Sequence, residues 1–278
     1  MVNSINSNAQ ALNALKNLSA TNQDLETTTK RLSSGLKIEN AKDNSTVFSL
    51  AQHLRGDTAA LDVVQINLDK TKSIGNTALA AGEAISDLFI ELRDKALAAS
   101  DDSLDATSRN AFQEDFNSLI EQVQNVLNQA EFDGINLLNN TSPGGVEYIA
   151  DAEGALTLTL DAENLTLGGP NVVLDPATHD LSTASNAQTA LTAVQTSLTN
   201  INASLSRLGG AVQKIENHSN FVTRLQDVLT QGVGQLVDAD LGKESALLVA
   251  LQVKQQLGVQ SLSIANQSPQ TVLSLFQS

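Results

Sequence analysis

Cysteine and tryptophan are absent from the 278 residues, and aromatic residues make up only 3% of them. Without cysteine the chain has no disulfide, no thiolate nucleophile and no cysteine-ligated zinc. Large aromatic side chains fill wide cores, whereas a thin helical bundle needs few of them. The composition therefore favours a narrow helical protein over a wide globular one.

Basic residues are also scarce. The chain has 31 acidic and 16 basic residues, which gives a formal net charge of −15. Nucleic-acid-binding surfaces need a basic patch, so we expect no nucleic-acid partner; the acidic balance favours a soluble protein that self-associates at high concentration. The longest apolar runs are too short to cross a bilayer, so we also expect no membrane insertion.

The first residues of the chain show none of the marks of a cleaved signal peptide. They lack both the basic n-region and the apolar h-region that such a peptide carries. Taken alone, this would indicate the cytoplasm.

Three long seams of apolar residues dominate the sequence, at 47–92, 112–130 and 191–229. Apolar residues recur there every three or four positions, and this 3.5-residue period is typical of helices that wind around one another. The seams predict a rod-like helical bundle. The residues that we assign to the bundle seam are Leu54, Leu61, Leu68, Leu92, Phe116, Leu198, Leu205, Leu208, Val212 and Ile215.

Both ends of the chain are helical patterns of low charge with one narrow apolar stripe each, over residues 1–36 and, after Gly232 and Gly234, to about residue 266. Such helices bury too little apolar area to offset their ordering entropy alone. Either they pair within a monomer, or both stay largely disordered until they pack with copies of themselves. The periodicity does not choose between these alternatives.

Residues 140–183 differ in character from the rest. Turn residues separate four short apolar runs, at 146–149, 156–160, 165–167 and 172–174, which we predict to be strands. The run at 156–160 alternates leucine and threonine strictly, as a half-buried strand does. Because residues 141–178 lie outside every seam and the seams supply the pairing energy of the helices, we expect those residues to be dispensable for assembly.

Candidate sites for chemistry are few. The three histidines, His53, His179 and His218, are scattered, and none has a histidine partner at helical spacing. The acidic loop at 101–105 lacks the spacing of a calcium loop. We therefore expect no catalytic residues, no cofactor and no metal site, and the sequence indicates a structural protein and not an enzyme.

Four segments resemble bacterial flagellins. The segment 31–44, which begins Arg-Leu-Ser-Ser-Gly-Leu, is similar to the family signature near the N-terminus, and the segment 132–138, Phe-Asp-Gly-Ile-Asn-Leu-Leu, to its turn out of the second long helix. The segments 238–244 and 265–275 resemble its C-terminal motifs. The resemblance covers residues 1–139 and 184–278, in the family's order.

The resemblance implies a mainly α fold: an elongated, coiled-coil-like helical bundle with a small β region, whose terminal helices pack in a filament core. Its implied divisions are 1–45, the N-terminal core helix and connecting spoke; 46–139, the N-terminal helices of the rod bundle; 140–183, a short variable outer β region; 184–234, the C-terminal helix of the bundle; and 235–278, the C-terminal core helix. The core residues that we expect at the subunit interface are Ile5, Leu12, Leu15, Leu18, Leu25, Leu32, Leu247, Leu251, Leu262 and Leu273.

The function implied by the resemblance is that of a subunit that polymerises with itself into the flagellar filament for swimming. Family members leave the cell unfolded through the flagellar type III export apparatus, which reconciles an extracellular location with the lack of a signal peptide. Further partners implied are an export chaperone on the C-terminal segment, the filament cap and hook-associated proteins. Two alternatives share the helical plan: a hook–filament junction protein, and a cell-surface flagellin relative that binds a polysaccharide through its β region.

Overall fold

The computed structural model describes residues 8–275, with side chains as far as residue 267. Within this range lie five helices, α1 (Ala9–Ser34), α2 (Ser45–Ala99), α3 (Ala106–Gln129), α4 (Ala184–Val237) and α5 (Leu241–Leu275). Two short strands, β1 (Val146–Ile149) and β2 (Thr157–Leu160), come between α3 and α4 in the chain. The predicted mainly α fold with a small β region is confirmed.

The chain folds into two compact units. The terminal unit takes the described residues up to Gly56 together with those from Val228 onward, and the central unit is Asp57–Asp227. Helices α2 and α4 therefore contribute residues to both units, while α1 and α5 belong to the terminal unit and α3 to the central unit.

Side-chain caps determine where two of the helices begin. Asn8 precedes α1 and its Oδ1 accepts a hydrogen bond from the Ala11 N–H at 3.0 Å. Asp105 precedes α3 and its Oδ1 accepts from the N–H groups of Thr107 and Ser108, both at 2.9 Å. Each cap satisfies backbone donors that the first helical turn leaves unpaired. The hydrogen bonds to Asp105, led by that from the Ser108 N–H, hold the pKa of its carboxyl below the ordinary value.

The predicted helix break at Gly232 and Gly234 is wrong, because α4 continues through both glycines to Val237. A glycine inside a helix costs about 1 kcal/mol relative to alanine. Val233 and Val237 are buried in an apolar cluster of the terminal unit, and that burial offsets the cost. The helix instead ends before Asp240, whose Oδ1 accepts from the Lys243 N–H at 3.1 Å at the start of α5.

The apolar seams lie where the helices of the central unit pack together. Of the predicted seam residues, those buried in this unit are Leu61, Leu68, Leu92, Phe116, Leu208, Val212 and Ile215. Leu198 and Leu205 are half-buried there, and Leu54 is half-buried in the terminal unit. Fully buried phenylalanines, Phe89 and Phe116, add the largest side chains to this core.

Two glycines of α2 bring that helix unusually close to α4. A Cβ atom at Gly75 would lie 2.5 Å from Val212 Cγ2, and one at Gly82 would lie 2.6 Å from Leu205 Cδ2. Gly75 and Gly82 are seven residues apart, and so are Leu205 and Val212. Over one heptad, the branched side chains of α4 therefore pack against two positions of α2 that have no side chain. The antiparallel approach of the two helices depends on these two positions.

The middle segment forms fewer strands than predicted. β1 and β2 pair antiparallel, with Val146 opposite Leu160 and Ile149 opposite Thr157. The two further predicted strands are wrong: residues 165–167 and 172–174 share only one isolated bridge, between Leu167 and Val172. Three-residue runs on either side of the turn at Gly168, where φ is +70°, are too short to extend a ladder.

The middle segment completes the core of the central unit. The side chains of Leu160, Leu165, Val172 and Leu174 are fully buried, and a Cβ at Gly75 would lie 3.3 Å from Leu160 Cδ2. These side chains therefore add to the packing that the seams supply, while the dispensability of residues 141–178 for assembly stays a prediction. Excising residues 141–178 would expose the faces of α2 and α4 that these side chains cover, and we now expect it to destabilise the bundle.

An ion pair fastens the middle segment to α4. Arg207 donates through Nε to Oε1 of Glu163 and through Nη2 to Oε2, both at 2.6 Å. The Glu163 side chain is 10% exposed and the Arg207 side chain 56%. This bidentate geometry is the strong form of a charge-assisted pair, and the hydrogen bonds that Arg207 donates to Glu163 raise the pKa of Arg207 above its ordinary value.

Replacing Gly75 with alanine is expected to destabilise the central unit by about 1–2 kcal/mol, because the added methyl meets the stiff side chain of Val212. Gly210→Ala is the matched control, since nothing lies within 4 Å of the position that its Cβ would take. That control is expected to stabilise the helix by about 0.5–1 kcal/mol. Thermal unfolding followed by circular dichroism compares the two; equal effects would show that the helices do not meet closely at Gly75.

Replacing Arg207 with methionine is expected to cost about 2 kcal/mol, because it leaves the buried Glu163 carboxylate without its partner. Replacing both residues with methionine should recover most of that loss. The Lys72–Glu216 pair is the control, because both side chains are at least one-third exposed, and Lys72→Met should cost less than about 1 kcal/mol. Chemical denaturation measures all three variants. A double variant no more stable than Arg207→Met would contradict this account.

Candidate assembly surfaces

Helices α1 and α5 form an antiparallel pair in the terminal unit. Asn8 Nδ2 donates to the Ala265 carbonyl at 2.6 Å, and Gln255 Nε2 donates to Asn22 Oδ1 at 2.7 Å. At the other end of the pair, Arg31 Nη1 lies 3.4 Å from Glu244 Oε1. These polar contacts, spaced along the whole length of α1, set the register of the two helices.

Small residues line the contact between the two helices. Thr21 and Thr28 of α1 are buried, as are Leu251 and Ala265 of α5. A Cβ at Gly258 would lie 3.2 Å from Leu18 Cδ1, so the helices meet closely there. The pairing is nevertheless incomplete. Beside Leu18 and Gly258 it leaves a groove of about 440 Å³ that is also lined by Leu257, Lys254 and polar residues of α1.

A short backbone link joins the ends of α1 and α4. Gly35 ends α1 in the left-handed region, with φ +72°, and its carbonyl accepts from the Ala239 N–H at 2.8 Å. The Lys37 N–H donates to the Val237 carbonyl at 2.6 Å, and Leu36 and Asp238 form an antiparallel bridge. The two segments that carry family signatures, 31–44 and 238–244, therefore meet at this link.

Apolar packing supports the backbone link from one side. Ile38, Ala51, Val233 and Val237 are buried together, and Phe48 packs against them. Within the terminal unit, this cluster packs Ile38, which follows α1, against the start of α2 and the end of α4.

Glu244 occupies an unusual position at the start of α5. Its side chain is 11% exposed, and its Oε2 has no hydrogen-bond partner among the described residues. Placement in the first turn of a helix favours its negative charge through the helix dipole. Arg31 supplies the opposite charge from α1.

The predicted interface residues fall into two groups in the structure. Leu251 is buried inside the α1–α5 pair, and Leu18, Leu25, Leu32 and Leu262 are half-buried. Leu12, Leu15 and Leu247 are exposed, by 64%, 52% and 42%. Ile5 and Leu273 lie outside the residues whose side chains the structure describes. The predicted stripe thus contains residues that hold the pair together and residues that the pair leaves uncovered.

Sequence reasoning missed a larger set of uncovered apolar residues on α5. Each of these side chains is more than half exposed, and they are Val249, Val253, Leu257, Val259 and Ile264. They lie outside the single apolar stripe that the sequence predicted on this helix. The signal that could have found them is the spread of apolar residues around the whole circumference of α5. A helix of that kind is normally buried in a larger structure, and exposed apolar patches of this extent mark interaction sites.

Two of the three histidines form hydrogen bonds with the backbone. His218 Nε2 lies 2.6 Å from the Ala150 carbonyl, and His179 Nδ1 accepts from the Asp175 N–H at 3.2 Å. Among the residues that the structure describes, no three histidine or acidic side chains cluster as a metal site would require. The described helices also include none that is both long enough and apolar enough to span a membrane.

The family models that match this chain and three proteins similar to it in sequence belong to one family. The family models for the bacterial flagellin N-terminal and C-terminal helical regions match residues 5–142 and 191–276. Flagellin FljK of Caulobacter vibrioides is 41% identical, and flagellin FljM of the same species 42%, each over 99% of both chains. A flagellin of Brucella melitensis is 34% identical, again over 99% of both chains.

A solved structure supports the fold. A protein of Vibrio parahaemolyticus, described as flagellar hook-associated, aligns with a TM-score of 0.59 over 70% of this chain and 100% of its own. At 15% sequence identity this likeness concerns the fold alone.

Replacing Gly35 with alanine is expected to destabilise the terminal unit by about 1–2 kcal/mol, because alanine is strained in the left-handed region. Nothing lies within 4 Å of the added Cβ, so the effect is conformational and not steric. Gly35→Asn is the matched control and should lose less, since asparagine tolerates this conformation. Thermal unfolding followed by circular dichroism provides the comparison. Equal losses for alanine and asparagine would show that backbone strain is not the cause.

Proposed function

The chain belongs to the bacterial flagellin family and is a structural subunit of the flagellar filament, and from this premise we propose that it enters the filament through the uncovered apolar surfaces of α1 and α5. The observation that carries this proposal is the exposure of apolar side chains on several sides of α5, where α1 covers only one side. Neighbouring copies would bury the rest.

The size of the uncovered surface supports polymerisation. Burying one valine or leucine side chain contributes about 1.5–3 kcal/mol. Five such residues on α5, with Leu12 and Leu15 on α1, are available in each copy. Since a filament repeats one contact between two different patches, every added subunit gains this burial.

We propose the following roles for the parts of the chain within the filament. Residues 1–45 form the N-terminal core helix and spoke, and residues 235–278 the C-terminal core helix. Residues 46–139 and 184–234 form the rod bundle, and residues 140–183 the outer β region. The pairing of α1 with α5 supports the joint role of the two ends, and the shared apolar core of the central unit supports the bundle.

The route and partners of the subunit are also part of the proposal. The chain leaves the cell unfolded through the flagellar type III apparatus, and the absence of cysteine suits that route because no disulfide can form. An export chaperone binds the apolar C-terminal segment before assembly, and the filament cap and hook-associated proteins contact the chain at the ends of the filament. The subunit acts without catalysis.

The alternative of a hook–filament junction protein is less well supported. The likeness to the hook-associated protein rests on 15% identity, whereas flagellins match at 41% and 42% over nearly the entire chain. The filament subunit is therefore the function that the observations favour.

Replacing Val249 and Val253 together with aspartate is expected to abolish polymerisation while leaving the central unit folded. Each substitution places a carboxylate where a neighbouring copy would bury a methyl group, at a cost of several kcal/mol. A loss of about 1.4 kcal/mol already raises the critical concentration tenfold. Sedimentation measures assembly, and circular dichroism checks the fold.

Gln256 and Gln260 provide the matched control, because both are exposed on the same helix at the same spacing. Their replacement with aspartate adds the same charge to polar positions, and we expect filaments to form. Normal filaments from the valine variant would contradict the proposal, as would a loss of assembly in the control equal to that in the valine variant.

A further inference from the structure

The two strands of the middle segment each have buried and exposed residues. On β1 and just after it, Tyr148 and Ala150 are buried, and the Ala150 carbonyl accepts a hydrogen bond from His218 of α4. On β2, Thr157 and Thr159 are exposed, and Leu158 is 37% exposed. Both strands bury one face and expose the other, since Leu160 of β2 is fully buried and Glu147 and Ile149 of β1 are exposed. The strands differ in charge, because β1 carries Glu147 and β2 carries no charged residue.

The register of the hairpin shows which backbone groups of β2 are free to pair. The Ala150 N–H donates to the Leu156 carbonyl at 2.8 Å, so these two residues occupy the position of a hydrogen-bonded pair, although the Leu156 N–H donates to Asp151 Oδ1 instead. Such pairs alternate along an antiparallel ladder, and Tyr148 with Leu158 is therefore the next one. Thr157 and Thr159, which lie between the bonded positions, turn their N–H and C=O groups away from β1.

The sequence of β2 contains no lysine, no proline and no other charged residue that would protect an exposed edge, and the strand is four residues long. Natural sheets blunt their edges with lysine, proline, bulges or very short strands. Residues 155–160 contain no charge and no proline in a chain of net charge −15. The run Leu-Thr-Leu-Thr-Leu at 156–160 also reads the same in both directions, so an antiparallel copy of itself presents the same side chains.

We propose that β2 is a docking edge for β2 of a second copy of this chain. With a twofold axis at Leu158, Thr157 of each copy exchanges backbone hydrogen bonds with Thr159 of the other. Leu158 then lies directly opposite its counterpart, and Leu156 lies opposite Leu160. No like charges face each other along the paired residues.

The twofold symmetry of the β2–β2 contact determines which subunits it can join. Pairing the β2 edge of one copy with the β2 edge of another is a twofold contact, and such a contact closes after two copies. The subunits of one flagellar filament all point the same way, so no twofold axis relates them. The contact therefore joins subunits of two neighbouring filaments and links the filaments side by side. This consequence rests on the proposed outer position of residues 140–183 in the filament.

A single-cysteine experiment tests the contact directly, because the chain has no native cysteine. Directly opposite residues in the non-bonded position have Cα atoms about 4.5 Å apart, within the range that a disulfide spans. Filaments of Leu158→Cys, packed together in salt that screens their charge, should give a disulfide-linked dimer on mild oxidation. Glu147→Cys, exposed on β1, is the control and should stay monomeric on a non-reducing gel.

A second variant blocks the edge without disturbing the hairpin. Thr159→Pro removes an N–H that points away from β1, where an edge strand tolerates proline, while Thr159→Val keeps the N–H. Electron microscopy of the packed filaments should show side-by-side association for the unmodified chain and for Thr159→Val, and separate filaments for Thr159→Pro. All of these chains should form filaments.

The outcomes separate this inference from the proposed function. If the unmodified chain forms no filaments, the proposed function fails. If filaments form but Leu158→Cys crosslinks no more than Glu147→Cys, or Thr159→Pro filaments associate like the unmodified ones, the β2 contact is wrong. Crosslinking between Leu158→Cys and Glu147→Cys in mixed filaments would also overturn it, because β2 would then pair with β1.

Discussion

Helix α5 carries more apolar surface than one partner helix can cover, and this imbalance explains most of what the terminal unit does. Helix α1 packs along one side of α5 through small residues such as Thr21 and Gly258. The opposite sides keep Val249, Val253 and Ile264 in contact with solvent. Exposure of each of those apolar side chains to water is unfavourable, and packing against further copies would remove that free-energy cost. In the proposed mode of assembly, polymerisation completes a core that a single chain leaves unfinished.

In the central unit, the apolar faces of the helices are covered within a single chain. Gly75 and Gly82 let α4 approach α2 closely, and buried side chains of the middle segment cover the faces that the helices leave open. The Arg207–Glu163 pair then fixes that segment to α4. A unit with its own closed core can stay folded independently of the contacts that the terminal helices make.

The sequence predicted the long helices well because their apolar residues follow one period over many turns, as at Leu61, Leu68 and Leu208. It failed where tertiary contacts outweigh local preference. Helix α4 passes through Gly232 and Gly234 because Val233 and Val237 are buried. Leu165 and Val172 belong to runs whose sequence is typical of strands. In the structure they are buried on either side of a turn and belong to no strand.

The assembly surface was only partly predictable for a related reason. A search for one stripe finds Leu251 and Leu12 alike, although the first is buried within the chain and the second is exposed. The stripe cannot reveal which residues the partner helix already covers, because that depends on the register set by contacts such as Asn8 with Ala265. Apolar residues off the stripe, such as Val253, lie outside any single-period template.

The most direct test of this account is the accessibility of α5 before and after assembly. A cysteine at Val253 can be labelled with a maleimide in the free subunit and in the filament, with a cysteine at the exposed Glu153 as the reference site. The account predicts that labelling at position 253 slows by about tenfold or more on assembly, while labelling at position 153 changes little. Equal labelling of position 253 in subunit and filament would show that copies of the chain do not cover α5.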